Sequence, residues 1–322
     1  MRWSTLITLL AGLAVAVVLV ATNDPAAIAA QIGAAAWGLL AVFALRLPQL
    51  LFSALGWAPL IADANRPGWA TLFHLRWIRD AVNALLPVAQ IGGDFVRAYL
   101  LNRGGVAALP ASASVAVDLA TELAAQFVFS VLGLAVLWHL PHQGTATGWL
   151  LAATAVSGVM AFGFMAAQRW GLFRLVGWLL PKLGSRFARA ARSPMAGLHA
   201  AVVALYRAPR RLWLSGAWHL ASWLFGVLET WAALRILGIE ASLAEALVIE
   251  SLGQLVRSLG FIVPGAVGVQ EGGFVLVCGL FAIPPDQALA FAMVRRIRDL
   301  VLGVPGLVAW RLAVLGWPRR QA

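Results

Sequence analysis

A charged pattern broken by glycine and proline occurs twice in an otherwise apolar chain, and no other feature restricts its fold as strongly. Pro87, Asp94, Asp118 and Glu122 correspond to Pro264, Glu271, Arg295 and Asp299, each pair 177 residues apart. Glycines surround the first acid both times: Gly92 and Gly93 precede Asp94, while Gly268 precedes Glu271 and Gly272 and Gly273 follow it. A duplicated, broken and charged segment in the two halves of a membrane protein points to a site between inverted repeats.

The remaining residues supply the membrane. Hydrophobic residues make up 61% of the 322 and charged ones 11%, against roughly 25% charged in an ordinary soluble domain. Apolar runs at 6–21, 28–45, 146–167 and 212–234 approach or exceed the ~20 residues that span a bilayer core. One membrane domain covering 1–322 is expected, all-α, with the first apolar run kept as a span rather than removed as a signal peptide. The single Cys278 excludes an internal disulfide or a cysteine metal cluster. His139 and His142 form no ligand pattern, so neither a metal nor a cofactor is expected.

The net charge is +11, which in a soluble chain would suggest nucleic acid. Its distribution instead follows the positive-inside rule. Nine basic residues and no acid lie between Arg169 and Arg211, whereas the loops 23–27, 139–148, 238–242 and 283–286 contain no Arg or Lys. Arg2, Arg66–Arg79, Arg103, the 169–211 segment and Arg319–Arg320 are therefore placed in the cytoplasm with both termini. Trp69, Trp138, Trp149, Trp170 and Trp213, like Trp3, Trp77, Trp310 and Trp317, fall near span ends, where an amphipathic ring favours the interface.

Six full spans follow, at about 4–22, 28–62, 111–138, 148–167, 212–237 and 286–315. Two broken hairpins, 69–103 and 242–283, complete the map; counting the second as two spans gives eight crossings. Helix 111–138 runs outward and 286–315 inward, so the repeat copies, about 69–138 and 242–315, are inverted. The stretch 187–206, with Met195, Leu198, Val202 and Leu205 at helical spacing, is expected on the inner membrane surface, its arginines meeting anionic headgroups.

Each hairpin is expected to enter the membrane and turn at Pro87 or at Pro264-Gly265, because proline lacks an N–H and clashes with the preceding turn. The returning half-helix starts near Gly92 or Gly268, its positive end directed inward. Asp94 and Glu271 stand at those starts, either as helix caps or as a functional pair facing one cavity. Asp118 and Glu122 share a helix face, as do Arg295 and Asp299, with Arg298 beside them. Buried charges in a membrane pair with one another, so Asp118 and Glu122 are expected to approach Arg295 or Arg298, as an ion-pair clasp or as a headgroup site. Arg296 is expected to snorkel. Arg46, Arg97, Glu229, Glu245, Glu250 and Arg257 are weaker intramembrane candidates.

The runs Pro87-Val-Ala-Gln-Ile-Gly-Gly-Asp94-Phe-Val-Arg97 and Pro264-Gly-Ala-Val-Gly-Val-Gln-Glu271-Gly-Gly, with Asp118 and Arg295, resemble the flippase-like membrane family. That family includes the transmembrane region of lysylphosphatidylglycerol synthases. The wording of 269–273 and 294–300 is most similar to a subgroup associated with bacterial hopanoid biosynthesis. The resemblance implies a multi-pass protein of the bacterial inner membrane that moves a hopanoid or another polar lipid between leaflets. The chain ends soon after its last helix, so the soluble aminoacyl-transfer domain of full synthases is not expected and the protein is not expected to be an enzyme. Two alternatives stand beside transport. One is a scaffold that docks lipid-biosynthetic enzymes through its basic loop; the other is a membrane-embedded transferase using its paired carboxylates.

The topology predicts that, on a Cys278→Ala background, a cysteine at Ser185 is labelled only from the cytoplasmic side and one at Thr145 only from outside. The opposite pattern in intact cells would reverse the orientation.

Overall fold

The computed structural model describes residues 17–18, 21–22, 25–34, 37–88, 90–141, 147–179, 192–261 and 263–316. Most of the expected first span, the basic stretch 180–191 and both termini lie outside the described residues, as do Thr145 and Ser185. The described residues are helical throughout, without strands: α1 (Pro25–Ala34), α2 (Leu39–Trp57, extended by a 3-10 turn Ala58–Leu60), α3 (Trp69–Leu85), α4 (Gly92–Arg103), α5 (Ala108–His139), α6 (Thr147–Trp170), α7 (Leu172–Leu179), α8 (Arg192–Tyr206), α9 (Pro209–Ile236), α10 (Leu243–Leu259), α11 (Val269–Gly279) and α12 (Pro285–Gly316). Three of them, Leu39–Leu60, Ala108–His139 and Thr147–Trp170, are long and apolar enough to cross a bilayer by length and composition. With α9 and α12 of similar length, this is the architecture of a polytopic membrane protein.

The 177-residue shift holds at the level of helices. It carries the ends of α5, 108 and 139, onto the ends of α12, 285 and 316, and carries Gly92, where α4 begins, onto Val269, where α11 begins. It also carries 39–60 onto 216–237, so α2 and α9 are equivalent too and each copy begins one long helix earlier than the charged motif indicated. In each copy the long leading helix packs on the incoming half-helix, and that half-helix crosses over to the last helix of the other copy: α3 lies on α12 as α10 lies on α5.

The copies are inverted, and the register shows it. Gln49 faces Gly226, Ser53 bonds Ser222 and Gly56 faces His219. The numbers in each pair sum to 275, which is antiparallel packing of α2 on α9. Gln49 and Gly226 are themselves related by the shift of 177, so a pseudo-twofold axis passes between them.

Each hairpin closes because glycine removes side-chain bulk. A Cβ on Gly93 would lie 2.2 Å from the Arg79 carbonyl oxygen of α3. In the second hairpin a Cβ on Gly253 of α10 would lie 2.4 Å from the Phe274 ring of α11. The turn before α11 uses positive φ at Gly265 (61°) and Gly268 (80°), a region glycine enters without a Cβ penalty. Gly265 abuts the Ala84 carbonyl near the end of α3, so the second turn rests beside the first hairpin.

Some expected features differ. The second span is two helices, α1 and α2, separated by a turn at Trp37–Gly38. The stripe Leu198, Val202 and Leu205 on α8 is buried with Leu60, Ala113 and Val117, so that face meets protein; sequence periodicity does not distinguish lipid from protein as the apolar partner. Trp69, Trp138, Trp149, Trp170 and Trp213 are strongly exposed at helix ends, whereas Trp77 is packed inward, its indole N–H donating to the Leu302 carbonyl at 2.7 Å.

Gly93→Ala should destabilise the protein by about 1–3 kcal/mol through overpacking, whereas Gly163→Ala, with nothing within 4 Å of its Cβ position, should not. Exposure of the only thiol, Cys278, which is fully buried, during a thermal ramp measures both.

Candidate functional site

Eight arginines and eight carboxylates meet inside the bundle. The arginines are 46, 76, 79, 97, 257, 295, 296 and 298; the acids are Asp80, Asp94, Asp118, Glu122, Glu229, Glu250, Glu271 and Asp299. An isolated charge in this medium costs several kcal/mol, so the energetics require that each acid find a cation.

In the first copy the Asp94 carboxylate accepts from Arg79 at 3.2 Å and contacts Arg97 at 2.8 Å. Arg97 is fully buried, stacks 4.7 Å over the Trp57 ring, and donates to Asp118 at 2.6 Å. The other Asp118 oxygen meets His219 Nε2 of α9 at 2.8 Å. Glu122 receives two bonds from Arg76, at 2.5 and 3.2 Å, and one from Arg79 at 3.3 Å. Asp80 is shared by three guanidiniums, those of Arg46, Arg76 and Arg79, at 3.0–3.3 Å.

In the second copy Glu271 takes the Gly268 backbone N–H at 2.7 Å and Arg296 at 2.7 Å, and Arg296 also donates to the Gly265 carbonyl at 2.8 Å. Arg296 is therefore bound into the turn and does not snorkel. Arg295 pairs with both oxygens of Glu250, donates to Thr230 at 2.8 Å, and lies 5.2 Å from the Phe274 ring. Arg298 pairs with Glu229 and, at 2.6 Å, with Asp299.

The expected contact of Asp118 or Glu122 with Arg295 or Arg298 does not occur. The physical reason is local saturation. Arg97 sits one helical turn from Asp94 and within reach of Asp118, while Glu250 takes up Arg295 from α10. Asp94 and Glu271 do not face a shared cavity either: their carboxylates are turned into Arg79, Arg97, Arg296 and the Gly268 N–H. Glu245 closes a capping box with Ser242 at the start of α10.

A cavity of about 130 Å³ lies where the copies meet, well above the roughly 10–15 Å³ needed for one water. It is lined from α2 by Arg46, Gln49 and Ser53, from α3 by Arg76, Arg79, Asp80 and Asn83, and by Gln90 and Glu122. From the second half come Ser222, Trp223, Gln254, Arg257, Arg298 and Asp299. Three pairs of lining residues are equivalents under the 177 shift: Arg46 with Trp223, Asp80 with Arg257, and Glu122 with Asp299. The cavity therefore lies on the pseudo-twofold axis.

Of the residues singled out from sequence, Glu122, Arg298 and Asp299 line this cavity. Asp94, Arg97, Asp118, Glu271 and Arg295 form the ion-paired shell behind it. The turn residues Gly92, Gly93, Gly265 and Gly268 shape the two hairpins, and Pro87 and Pro264 stand within their turns. Arg76 and Arg79, placed in the cytoplasm by the positive-inside reading, instead lie inside the bundle on α3, Arg76 buried and Arg79 part-buried, and line the cavity beside Asp80, because Asp80, Asp94 and Glu122 supply their counter-charge there. His219, Gln49 and Gln254 carried no signal, because partners such as Gln49 and Glu229, or Asp118 and His219, are more than 100 residues apart.

Comparison with known proteins agrees with this architecture. The profile of the family described as the lysylphosphatidylglycerol synthase TM region matches residues 7–306. The chain belongs to that membrane family. It is also similar to a UPF0104 membrane protein of the archaeon Methanothermobacter thermautotrophicus, with 24% identity over 242 residues, 70% of each chain. No solved structure matches.

The ion pairs predict a pattern of coupling. Removing one partner of a buried pair costs about 3–5 kcal/mol in soluble proteins, so Arg97→Gln and Glu250→Gln should each destabilise strongly. A double-mutant cycle of Arg97→Gln with Asp118→Asn should show coupling of about 0.5–3 kcal/mol. Asp118→Asn with Arg295→Gln should be additive, and strong coupling between them in thiol-exposure melts would contradict the observed pairing.

Proposed function

We propose that this protein moves a polar lipid between the two leaflets. The observation that carries this reading is the charged cavity on the pseudo-twofold axis of an otherwise apolar bundle. A lipid's tails lose nothing by staying in hydrocarbon, but its headgroup cannot cross unaided, because an unpaired polar or charged group there costs several kcal/mol. What a translocator must supply is a polar step of headgroup size at mid-depth, reachable alternately from either side. Inverted copies meeting at such a step are the arrangement that exchanges exposure by rocking one copy against the other.

The family name supports a lipid context for a membrane domain of this kind. On this reading the hairpins α3–α4 and α10–α11 enter from opposite faces of a bacterial inner membrane. The motif wording implies a hopanoid cargo, but the lining of the cavity favours a different headgroup chemistry. The arginine-rich lining fits best a cargo whose headgroup accepts hydrogen bonds. Any net uphill movement would draw on an ion gradient or a partner protein.

Purified protein reconstituted into vesicles should speed exchange of a headgroup-labelled lipid between leaflets. Gln90 lines the cavity with its amide nitrogen unbonded, so Gln90→Trp should fill the space and slow exchange at least tenfold; because its φ is 53°, where bulky side chains are strained, a melt of the variant is run beside the exchange assay to show that it is folded. Vesicles with wild-type protein that exchange no faster than empty ones would overturn the reading.

A further inference from the structure

The inner network is balanced in number, eight arginines against eight carboxylates, but not in position. Five of the carboxylates, Asp94, Asp118, Glu229, Glu250 and Glu271, do not line the cavity. Its wall carries five arginines (46, 76, 79, 257, 298) and three acids (Asp80, Glu122, Asp299), a formal surplus of 5 − 3 = +2 facing the space.

Within that wall one cation differs from the rest. Arg46, Arg76, Arg79 and Arg298 each pair with a carboxylate within 4 Å. Arg257 makes no such pair among the described residues: Asp299 attracts it only from beyond pairing distance, and both the Arg257 Nε and the Asp299 Oδ2 are buried without a hydrogen-bond partner. Symmetry sharpens the contrast. Its equivalent in the first copy is Asp80, which is contacted by three guanidiniums. The twofold thus places an over-satisfied acid opposite an unsatisfied base across one cavity. In a membrane interior an unpaired arginine is expensive, and it is retained where a ligand supplies the counter-charge. A guanidinium offers five N–H donors in a planar fork that matches phosphate oxygens in pairs.

We infer that Arg257 is the anchor for a phosphate-class oxyanion bound in the central cavity, with Arg46 and Arg298 completing the surround, and that the cargo is an anionic phospholipid. This rests on the translocation reading for the source of the oxyanion, while the site itself stands on the geometry. A headgroup without an oxyanion would leave Arg257 unpaired, and a zwitterionic one such as phosphatidylcholine would bring a cation in beside its phosphate and leave the surplus uncancelled.

The test uses full-length protein in a neutral detergent, with Cys278 exposure on heating as the readout and added phosphatidate, phosphatidylglycerol, phosphatidylcholine or inorganic phosphate as probes. Arg257 has no ion pair to lose, so Arg257→Gln should melt like wild type without ligand. Wild type should be protected by phosphatidate or phosphatidylglycerol at concentrations at least tenfold below phosphatidylcholine. Arg257→Gln should lose that preference, Arg257→Lys should keep part of it, and Arg211→Gln, at the α9 start, should keep all of it. Protection by the two anionic lipids but not by inorganic phosphate assigns the oxyanion to lipid; equal protection by inorganic phosphate supports the site with a soluble occupant. Undiminished preference in Arg257→Gln, or equal protection by phosphatidylcholine, overturns the inference. Vesicle assays separate the two readings: exchange of anionic and neutral lipid at equal rates sinks the anionic cargo and leaves translocation, whereas binding preference without any exchange sinks translocation and leaves the site.

Discussion

The structure depends on the pairing of charges in a medium that does not tolerate them singly. Eight of the chain's thirteen carboxylates are brought to one place inside an apolar bundle, and each meets arginine there. The pairs tie helices together across long sequence distances. Arg97 links α4 to α5, Arg295 links α12 to α10, and Arg298 links α12 to α9. Removing the charges from the lipid-facing side and collecting them internally leaves aliphatic and aromatic residues outside, which is what a bilayer solvent requires.

The two copies solve one problem with different residues. In the first, the half-helix α4 supplies the arginine, Arg97, and the long helix α5 supplies the acid, Asp118. In the second, the long helix α12 supplies the arginine, Arg295, and the position equivalent to Arg97 is Phe274, whose ring lies 5.2 Å from the Arg295 guanidinium. The acid comes instead from α10, as Glu250. Both arginines rest against an aromatic ring and hold a buried carboxylate, so the mechanical role of each joint is preserved while the charge pattern is changed.

That change is what gives the centre its chemistry. Strict symmetry would put like charges opposite each other on the axis, Asp80 against an acid or Arg257 against a base. Divergence of the copies replaced this with an acid on one side and an arginine on the other, and left Arg257 without a carboxylate within 4 Å among the described residues. Antiparallel packing of α2 on α9 sets the axis at Gln49 and Gly226, where a Cβ on the glycine would lie 3.3 Å from Glu250 Oε1 and 3.4 Å from Gln49 Oε1. The second turn rests against the Ala84 carbonyl of α3, and the Arg296 bond to the Gly265 carbonyl ties it to α12.

The sequence by itself determined the membrane class, the positions of the long helices α5, α6, α9 and α12 to within a few residues, and the repeat. Each follows from local composition: runs of apolar residues of bilayer length, glycine and proline at fixed offsets, and a register of 177 that subtraction alone reveals. It also marked most of the residues that carry buried charge, because a charge inside an apolar run is conspicuous wherever it falls. Only the tertiary structure decided which charge meets which. Asp118 chose Arg97 and His219 over Arg295, and Glu271 chose Arg296, because ion pairing at 3 Å depends on rotation of one helix against another, which one-dimensional spacing does not encode. For the same reason the cavity-lining set could not be read in advance. Gln49, Ser222 and Gln254 are ordinary polar residues in sequence, and they line the site only because α2, α9 and α10 converge on the axis.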